Sequence, residues 1–266
     1  MTARTSPDPE HPLTHVPAEG GTAVHDRQPD LDIVVPAYNE EARLGPTLRA
    51  LAAHTATLPL RVQITVVDNG SVDRSAEVVD EVAQRRPGNT ELRLIGCARQ
   101  GKGAAVRRGL LASTARYRGF CDADLSTPPQ VLTDVLGHLE RGAPVVIGSR
   151  RAPGASYAVA QPLVRRLGSS TFRMLTRPMV GEVADTQCGF KFFSGDAAQQ
   201  IFSRVTAHGF AFDVEVLAVA NRLGMPVVEV PVRWTDQAGS SFHVWSHGKR
   251  VVSEVVAVRA ALARMS

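Results

Sequence analysis

The chain has 266 residues, of which 44% are hydrophobic and 21% are charged, a composition typical of a globular protein with a packed core. Its net charge is +4 and its isoelectric point is about 9.3, which suits an anionic substrate or an anionic membrane surface. Because the lysines and arginines are not clustered, we expect no nucleic-acid partner.

Cysteine usage and hydropathy indicate the compartment. The three cysteines are widely spaced and form no Cys-x-x-Cys pair, which predicts free thiols in a reducing environment rather than disulfides or a zinc site. No apolar run approaches the roughly 20 residues that a membrane helix requires, and the N-terminus has no apolar signal core. We therefore expect a cytoplasmic protein whose contact with a membrane, at the inner face of the plasma membrane, is peripheral.

Residues 1–29 differ in composition from the rest of the chain. This segment contains five prolines and two glycines and shows no apolar periodicity, which predicts a disordered tail. We expect residues 30–266 to form a single domain.

Strands and helices alternate from Leu31 onward, with short loops between them. The predicted strands are 31–35, 62–67, 92–95, 117–121 and 144–147, and the predicted helices are 40–54, 71–86, 103–115 and 129–141. Such alternation predicts the α/β class, with a mainly parallel central sheet covered by helices on both faces.

The second half of the chain is less regular. Residues 151–161 contain Pro153, Gly154 and Tyr157 and are expected to form a mobile loop beside the site, in the position of a lid. Residues 162–179 and 246–265 are predicted helices. The first carries several arginines and the second begins with basic residues, so either could be a solvated face or a contact with anionic lipid.

Two carboxylates, Asp122 and Asp124, directly follow the predicted strand 117–121, with only Ala123 between them. Ligands of open α/β sheets bind at the carboxyl ends of the strands. Paired carboxylates there suit Mg²⁺ or Mn²⁺ carrying a diphosphate, because these ions prefer oxygen ligands. The alternative is a solvated turn that caps the next helix.

Three earlier loops also follow predicted strands: Pro36–Glu40, Asp68–Ser71 and Arg99–Ala104. Tyr38 offers a flat face for a base, and Asp68 could accept hydrogen bonds from a ribose or a base. Lys102 lies between two glycines at a helix start, where backbone N–H groups face phosphate. Taken alone, Pro36–Glu40 is better explained as a proline turn with a helix cap, and Asn69-Gly70 is also a common turn sequence. Arg99–Ala104 lacks the spacing of a P-loop.

The ordered set of motifs resembles glycosyltransferase family 2. These motifs are Pro-Ala-Tyr-Asn-Glu at 36–40, Asp-Asn-Gly-Ser at 68–71, Gly-Lys-Gly at 101–103, Asp-Ala-Asp at 122–124 and Gly-Ser-Arg at 148–150. Segments 185–191, 212–215 and 229–234 resemble its dolichyl-phosphate and polyprenyl-phosphate sugar synthases, especially the dolichyl-phosphate glucosyltransferases. The resemblance covers residues 31 to 250 and implies a GT-A fold, with a nucleotide-sugar half (30–150) and an acceptor half (151–266).

The resemblance also implies site residues. It places a nucleotide sugar against Pro36, Tyr38, Glu40, Asp68, Lys102, Asp122, Ala123, Asp124, Arg150 and Lys191, with Asp122 and Asp124 as ligands of Mg²⁺ or Mn²⁺. Arg150 is expected near the phosphates, since its planar fork matches phosphate oxygens. The implied reaction is the inverting transfer of a hexose, with UDP-glucose favoured, to a polyprenyl phosphate.

Two other functions remain open at this stage. A soluble enzyme that glycosylates a hydroxyl of a small metabolite or natural product would need a general base, for which Asp185 is the first candidate, followed by Asp213 and Glu215. Asp185 could equally orient the turn that follows it. The second is a nucleotide-sugar-binding protein without catalysis, which the retained Asp122 and Asp124 disfavour.

Three positions depart from the family pattern. Asn69 stands where an aspartate is common, Ser126 where many mannosyl members have glutamine, and Ser241 where a lysine is common. These departures put a second nucleotide-site carboxylate, a third metal contact and an acceptor-phosphate contact in doubt.

Overall fold

The computed structural model describes residues 28–85, 88–157, 174–209, 211–235 and 244–265, with side chains described from residue 253 onward in the last range. The strands are β1 (Leu31–Ala37), β2 (Val62–Asp68), β3 (Thr90–Gly96), β4 (Tyr117–Cys121), β5 (Val145–Ser149), β6 (Ser156–Tyr157), β7 (Phe190–Ser194), β8 (Val227–Pro231) and β9 (Arg233–Trp234). The helices are α1 (Glu41–Thr55), α2 (Ser75–Ala83), α3 (Lys102–Ala112), α4 (Val131–Glu140), α5 (Gly195–Phe202), α6 (Phe212–Arg222) and α7 (Val244–Ala263). Residues 174–180 are helical as well.

Seven of these strands form one sheet in the order β3-β2-β1-β4-β7-β5-β8. Strand β7 runs antiparallel to both of its neighbours, β4 and β5, and every other adjacent pair is parallel. The prediction of a mainly parallel α/β sheet is therefore confirmed, with one antiparallel strand added. Parallel pairing brings Ala37, Asp68 and Gly96 to the same edge of the sheet.

Apolar helix faces cover the sheet on both sides. One core cluster contains the leucines of α1 and α4 and the valines of α2, among them Leu44, Leu48 and Leu132. The other contains apolar side chains of α3, α5, α6 and α7, such as Val106 and Phe202. Burial on both faces explains why the strands read as nearly continuous apolar runs.

The expectation of a mobile loop at 151–161 is wrong for two of its residues. Ser156 and Tyr157 form β6, which pairs in parallel with β9, and the Ser156 N–H donates to the carbonyl oxygen of Val232 at 3.2 Å. This partner lies more than 70 residues away, so no local pattern could reveal it. Residues 158–161 lie outside the described ranges.

Other expectations fall partly outside those ranges. The predicted tail is described only at residues 28 and 29, and the predicted helix 162–179 only from residue 174. Within the described residues, we find no helix that is long and apolar enough to cross a bilayer.

The contact between β4 and β7 leads to a first prediction. Gly119 lies opposite Phe192, and an added Cβ would overlap the Phe192 ring. We expect Gly119→Ala to lower the free energy of unfolding by about 1–3 kcal/mol, the usual cost of overpacking. Denaturant unfolding measures this. Gly96→Ala is the matched control, because the added methyl group meets nothing within 4 Å there; equal losses in the two variants would contradict the prediction.

Candidate active site

Asp122 follows β4 directly, and its position depends on a glycine of the neighbouring segment. The Asp122 N–H donates to the carbonyl oxygen of Gly189 at 3.0 Å. A Cβ on residue 189 would overlap the Asp122 carboxylate, so only glycine leaves space for this side chain. The antiparallel pairing of Cys121 with Phe190 sets this close approach.

Asp124 belongs to a tight turn at the end of the same strand. Its Oδ1 accepts a hydrogen bond from the Ser126 N–H at 3.0 Å, and Leu125 between them has φ of +54°. The carbonyl oxygen of Ala123 accepts from Thr47 Oγ1 at 2.6 Å. Helix α4 begins only at Val131 and has no side-chain cap, so the alternative in which the two aspartates cap the next helix is wrong.

Charges of alternating sign extend from Asp122 into the protein. Lys102 Nζ lies 2.7 Å from Asp122 Oδ1 and 3.7 Å from Asp213 Oδ2. On the other side, Lys191 Nζ lies 2.5 Å from Asp213 Oδ1 and donates to the carbonyl oxygen of Cys188 at 2.6 Å. We call these four residues, Asp122, Lys102, Asp213 and Lys191, the charge chain.

The charge chain shifts the protonation of its members. Burial favours the neutral form of Lys102, but the Asp122 and Asp213 carboxylates outweigh it and raise the pKa of the lysine. Burial favours neutral Asp213 too, but Lys102 and Lys191 hold its pKa below the ordinary value. Burial raises the pKa of Asp122, and Lys102 opposes this. Lys102 and Asp213 are therefore both charged at neutral pH.

Arg150 and Asp185 form a second ion pair. Arg150 Nε and Nη2 each donate to the Asp185 carboxylate at 2.7 Å, and the Arg150 backbone N–H donates to it at 2.9 Å. The guanidinium lies 4.7 Å from the centre of the Trp234 ring. Glu229 fixes the backbone that carries Asp185, because its carboxylate accepts hydrogen bonds from the backbone N–H groups of Ala184 and Asp185. Burial acts against charge on Asp185, but Arg150 holds its pKa below the ordinary value.

Hydrogen bonds join the loops that follow β1 and β2. The Asn39 N–H donates to Ser71 Oγ at 3.0 Å, and Asn39 Oδ1 accepts from the Val72 N–H at 2.9 Å. In the first of these loops, Tyr38 is 59% exposed and so presents its ring to solvent. Asp68 accepts from the N–H groups that follow it in its own turn.

Glu40 lies near the aspartates. It forms a two-pronged ion pair with Arg43, at 2.7 and 2.9 Å. Burial raises the pKa of Glu40, and the charges of Asp124 and Asp122 add to this while Arg43 opposes it. The three carboxylates therefore create a local excess of negative charge.

Asn69, one of the departures from the family pattern, ties β2 to the loop before α3. Its Nδ2 donates to the carbonyl oxygens of Cys97 at 3.0 Å and Arg99 at 2.7 Å, and its Oδ1 accepts from the Gly101 N–H at 2.7 Å. An ionised aspartate cannot donate to the two carbonyl groups. The amide therefore fits this position for a structural reason.

A cavity of about 630 Å³ adjoins these loops. Its walls include Tyr38, Asn69, Lys102, His208 and Arg264. This volume lies within the usual range of about 300–1,000 Å³ for small-molecule sites. The cavity is therefore large enough for a nucleotide.

The structure brings most of the predicted site residues to one edge of the sheet. Pro36, Tyr38, Glu40 and Asp68 lie at or just beyond the ends of β1 and β2, and Ala123 lies between the two aspartates. Lys191 differs from the expectation that it contacts a nucleotide sugar, because in this structure its side chain is fully buried and its ammonium faces Asp213. Its contact with substrate stays a prediction.

Four further residues hold or orient the predicted site residues: Thr47, Gly189, Glu229 and Trp234. The last three were named from the sequence only as members of segments 185–191 and 229–234, without a role, and Thr47 was not singled out. Only Glu229 gave a signal of its own, since an acidic residue within the apolar strand Val227–Pro231 demands a partner.

The site has the ligands that Mg²⁺ or Mn²⁺ prefers. Asp122 and Asp124 supply hard carboxylate oxygens at the sheet edge, and the excess of negative charge at Glu40 favours a cation. In the described part of the chain, no group of three histidine, cysteine, aspartate or glutamate side chains is placed to hold a metal ion. The two aspartates would therefore need oxygens of the ligand or of water to complete the coordination.

The fold is that of known glycosyltransferases. Crystal structures of glucosyl-3-phosphoglycerate synthase from Mycobacterium tuberculosis superpose with a TM-score of 0.65 at 20% identity, over 86% of this chain and 80% of theirs. One was solved with Mn²⁺, UDP and glucosyl-3-phosphoglycerate. This likeness establishes the GT-A fold.

The family follows from sequence comparison. The family model "Glycosyl transferase family 2" matches residues 32–202, and the chain belongs to this family. It is 32% identical to a dolichyl-phosphate beta-glucosyltransferase of Dictyostelium discoideum, over 86% of this chain and 73% of that protein. It is also 32% identical to the human dolichyl-phosphate beta-glucosyltransferase, over 79% and 68% of the two chains. The protein is thus a glycosyltransferase, as the motifs predicted.

The Arg150–Asp185 pair leads to a second prediction. Because the pKa of Asp185 is lowered in the folded state, its stabilising contribution is present above the unfolded value of about 3.9 and is lost as the pH falls below it. We expect Asp185→Asn to lower the free energy of unfolding by about 3–5 kcal/mol at pH 7, the usual cost of removing one partner of a buried pair. The difference from wild type should narrow below about pH 4.

Urea unfolding at several pH values measures both effects. Asp80→Asn, at an exposed position of α2, is the control and should change stability by less than about 0.5 kcal/mol. A loss for Asp185→Asn that is the same at pH 3 and pH 7 would contradict the assignment to the ion pair.

Proposed function

We propose that the protein transfers a hexose, glucose from UDP-glucose, to a polyprenyl phosphate, with inversion at the anomeric carbon and with Mg²⁺ or Mn²⁺ as cofactor. Two findings support this choice of donor and acceptor. The relatives in Dictyostelium and human are named for glucosyl transfer to dolichyl phosphate, and the structural relative was solved with UDP-glucose and Mn²⁺.

The observation that carries the choice of acceptor is the state of the three candidate bases. A hydroxyl acceptor must lose a proton to a base, whereas a phosphate acceptor is already an anion. Asp185 is bound to Arg150, and Asp213 is bound to Lys191 and lies near Lys102. Glu215 is buried and accepts from the backbone N–H groups of Thr206 and Ala207. Three engaged carboxylates favour the acceptor that needs no base.

The other site residues have matching roles. Tyr38, with Pro36 and Asp68 beside it, would hold the nucleoside, and Asp122 and Asp124 would hold the metal ion. When bound, that ion supplies positive charge to the departing diphosphate. Asp185 and Trp234 orient Arg150. We assign to its guanidinium the binding of an anionic oxygen of the donor or the acceptor, because guanidinium groups suit phosphate oxygens.

The reaction is a single displacement. An oxygen of the acceptor phosphate attacks the anomeric carbon and forms the new C–O bond. The bond from that carbon to the diphosphate oxygen breaks on the opposite face, and its electron pair leaves with UDP. No proton changes place, which agrees with the engaged state of the three carboxylates.

A polyprenyl phosphate lies at a membrane surface, and the described helical residues 174–180 suit contact with one. Met174 is 80% exposed and Leu175 is 52% exposed, although both are large and apolar. Arg177 lies in the same helix, and a basic residue near anionic lipid contributes about 1 kcal/mol to binding. These features support a peripheral contact. The basic residues of 162–173 lie outside the described ranges, and for 247–250 only the backbone is described.

The metal leads to a third prediction. We expect Asp124→Ala and Asp124→Asn to reduce turnover by about 10²–10³-fold, because charge stabilisation of the leaving group is lost. The asparagine variant keeps an acceptor for the Ser126 N–H, so it separates the loss of charge from the loss of the turn. Release of UDP from UDP-glucose in the presence of Mn²⁺ measures turnover.

Asp134→Asn, at an exposed position of α4, is the control. Full activity in EDTA would refute metal dependence.

The acceptor leads to a fourth prediction. The enzyme is incubated with UDP-glucose, Mn²⁺ and either a short-chain polyprenyl phosphate or a panel of hydroxyl acceptors, including the corresponding polyprenol. We expect product on the phosphate and none on the polyprenol, which has the same chain and lacks only the anion. Product on hydroxyl acceptors alone would replace this proposal with a soluble glycosyltransferase that uses Asp185, Asp213 or Glu215 as base.

A further inference from the structure

Lys102 binds a carboxylate, Asp122, that the proposed divalent cation would need. Its ammonium lies 2.7 Å from Asp122 Oδ1. A metal ion bound to that oxygen would lie about 2.1 Å from it, and two cations so close to one carboxylate repel each other strongly. The ammonium therefore competes electrostatically with a metal ion for this carboxylate.

A second anion lies within reach of Lys102. Asp213 Oδ2 is 3.7 Å from the ammonium, about one ångström farther than Asp122 Oδ1. Asp213 is fixed in place because its other oxygen binds Lys191, whose side chain is fully buried. The Lys102 side chain is 36% exposed, so it has open space beside it, which the fully buried Lys191 lacks.

We propose that Lys102 competes with the metal ion for Asp122 and releases this carboxylate when a nucleoside diphosphate offers its ammonium another anion. Metal ion and nucleotide then favour each other's binding, since each of them breaks the contact between Lys102 and Asp122 and so releases the group that the other needs. This inference rests on the proposed use of a metal ion and is independent of the acceptor. Asp213 and Lys191 act in it as positioning residues that hold the lysine beside the diphosphate.

The position of Lys102 in the chain supports the exchange. It is the first residue of α3, where the positive end of the helix dipole favours an anion such as phosphate. The neighbouring Gly101 and Gly103 N–H groups already have partners in the protein, so the lysine side chain would make the contact. Gly101 precedes it with φ of +117°, and Gly103 follows it, so the backbone comes close to His208 and Phe212. The lysine therefore lies beside Asp122 at a helix start, where we expect the diphosphate to bind.

The first experiment measures Mn²⁺ binding without nucleotide, by the electron paramagnetic resonance signal of free Mn²⁺. We expect Lys102→Met to bind Mn²⁺ about tenfold more tightly than wild type, because the competing charge is removed. Arg108→Met is the matched control. It removes one positive charge from the exposed side of the same helix, and it should bind Mn²⁺ as wild type does.

The second experiment repeats the titration with saturating UDP. In wild type, UDP should strengthen Mn²⁺ binding, and in Lys102→Met this gain should be smaller by about fivefold or more. A lysine with a purely structural role would leave this coupling unchanged. Lys102→Gln, which keeps a polar side chain, replaces Lys102→Met if the methionine variant shows an altered melting temperature.

The outcomes separate this inference from the proposed function. Equal Mn²⁺ affinities of wild type and Lys102→Met, or an equal gain for Arg108→Met, would overturn the exchange and leave metal dependence standing. No Mn²⁺ binding by any variant, with or without UDP, would refute the metal cofactor and the exchange together.

Discussion

The burial of charge constrains this molecule more than any other feature. Lys191 is fully buried on β7, and a buried ammonium is tolerated only where an anion and further acceptors surround it. Asp213, at the start of α6, provides that anion. Lys102 of α3 and Asp122 after β4 continue the charge chain toward the surface. Four elements that are remote in sequence are therefore held in one arrangement by the need to pair these charges.

The same principle applies to the backbone around the site. Buried or half-buried side chains take up the polar groups of the loops: Asn69 those of the loop before α3, Thr47 the carbonyl of Ala123, and Glu215 the N–H groups of residues 206 and 207. Glu229 does the same for the segment that carries Asp185. Loops fixed in this way present their functional groups in a set geometry before any substrate arrives, which lowers the cost of reorganisation.

Local patterns were sufficient to predict the first half of the fold. Strand β4 has the bounds expected from its apolar run, and the two aspartates lie at its carboxyl end as predicted. The pairing of β6 with β9 and the insertion of β7 were not predictable in this way, because the partners are distant in the chain. Lys191 illustrates the limit. Its neighbours in Phe190–Ser194 are apolar, but nothing in that segment indicates that Asp213, 22 residues farther on, provides its partner.

Two departures from the family pattern, at positions 69 and 126, can likewise be interpreted only with the structure. Asn69 has a structural reason that becomes visible only with the carbonyl groups of Cys97 and Arg99 around it. For Ser126, the backbone N–H rather than the hydroxyl contacts Asp124. At position 69, the absence of a carboxylate is thus explained by the loop, which requires the amide of Asn69 as a hydrogen-bond donor.

The place of β7 in the sheet has a consequence for synthesis of the chain. Strands β1 to β4 can pair with one another as soon as they leave the ribosome. The partners of β5 in the described part of the chain are β7 and β8, which are made later. Until β7 arrives, β4 presents an open edge of unpaired backbone groups, and such edges promote aggregation. Between translation of residue 121 and of residue 190, the nascent protein is therefore exposed to aggregation at this edge.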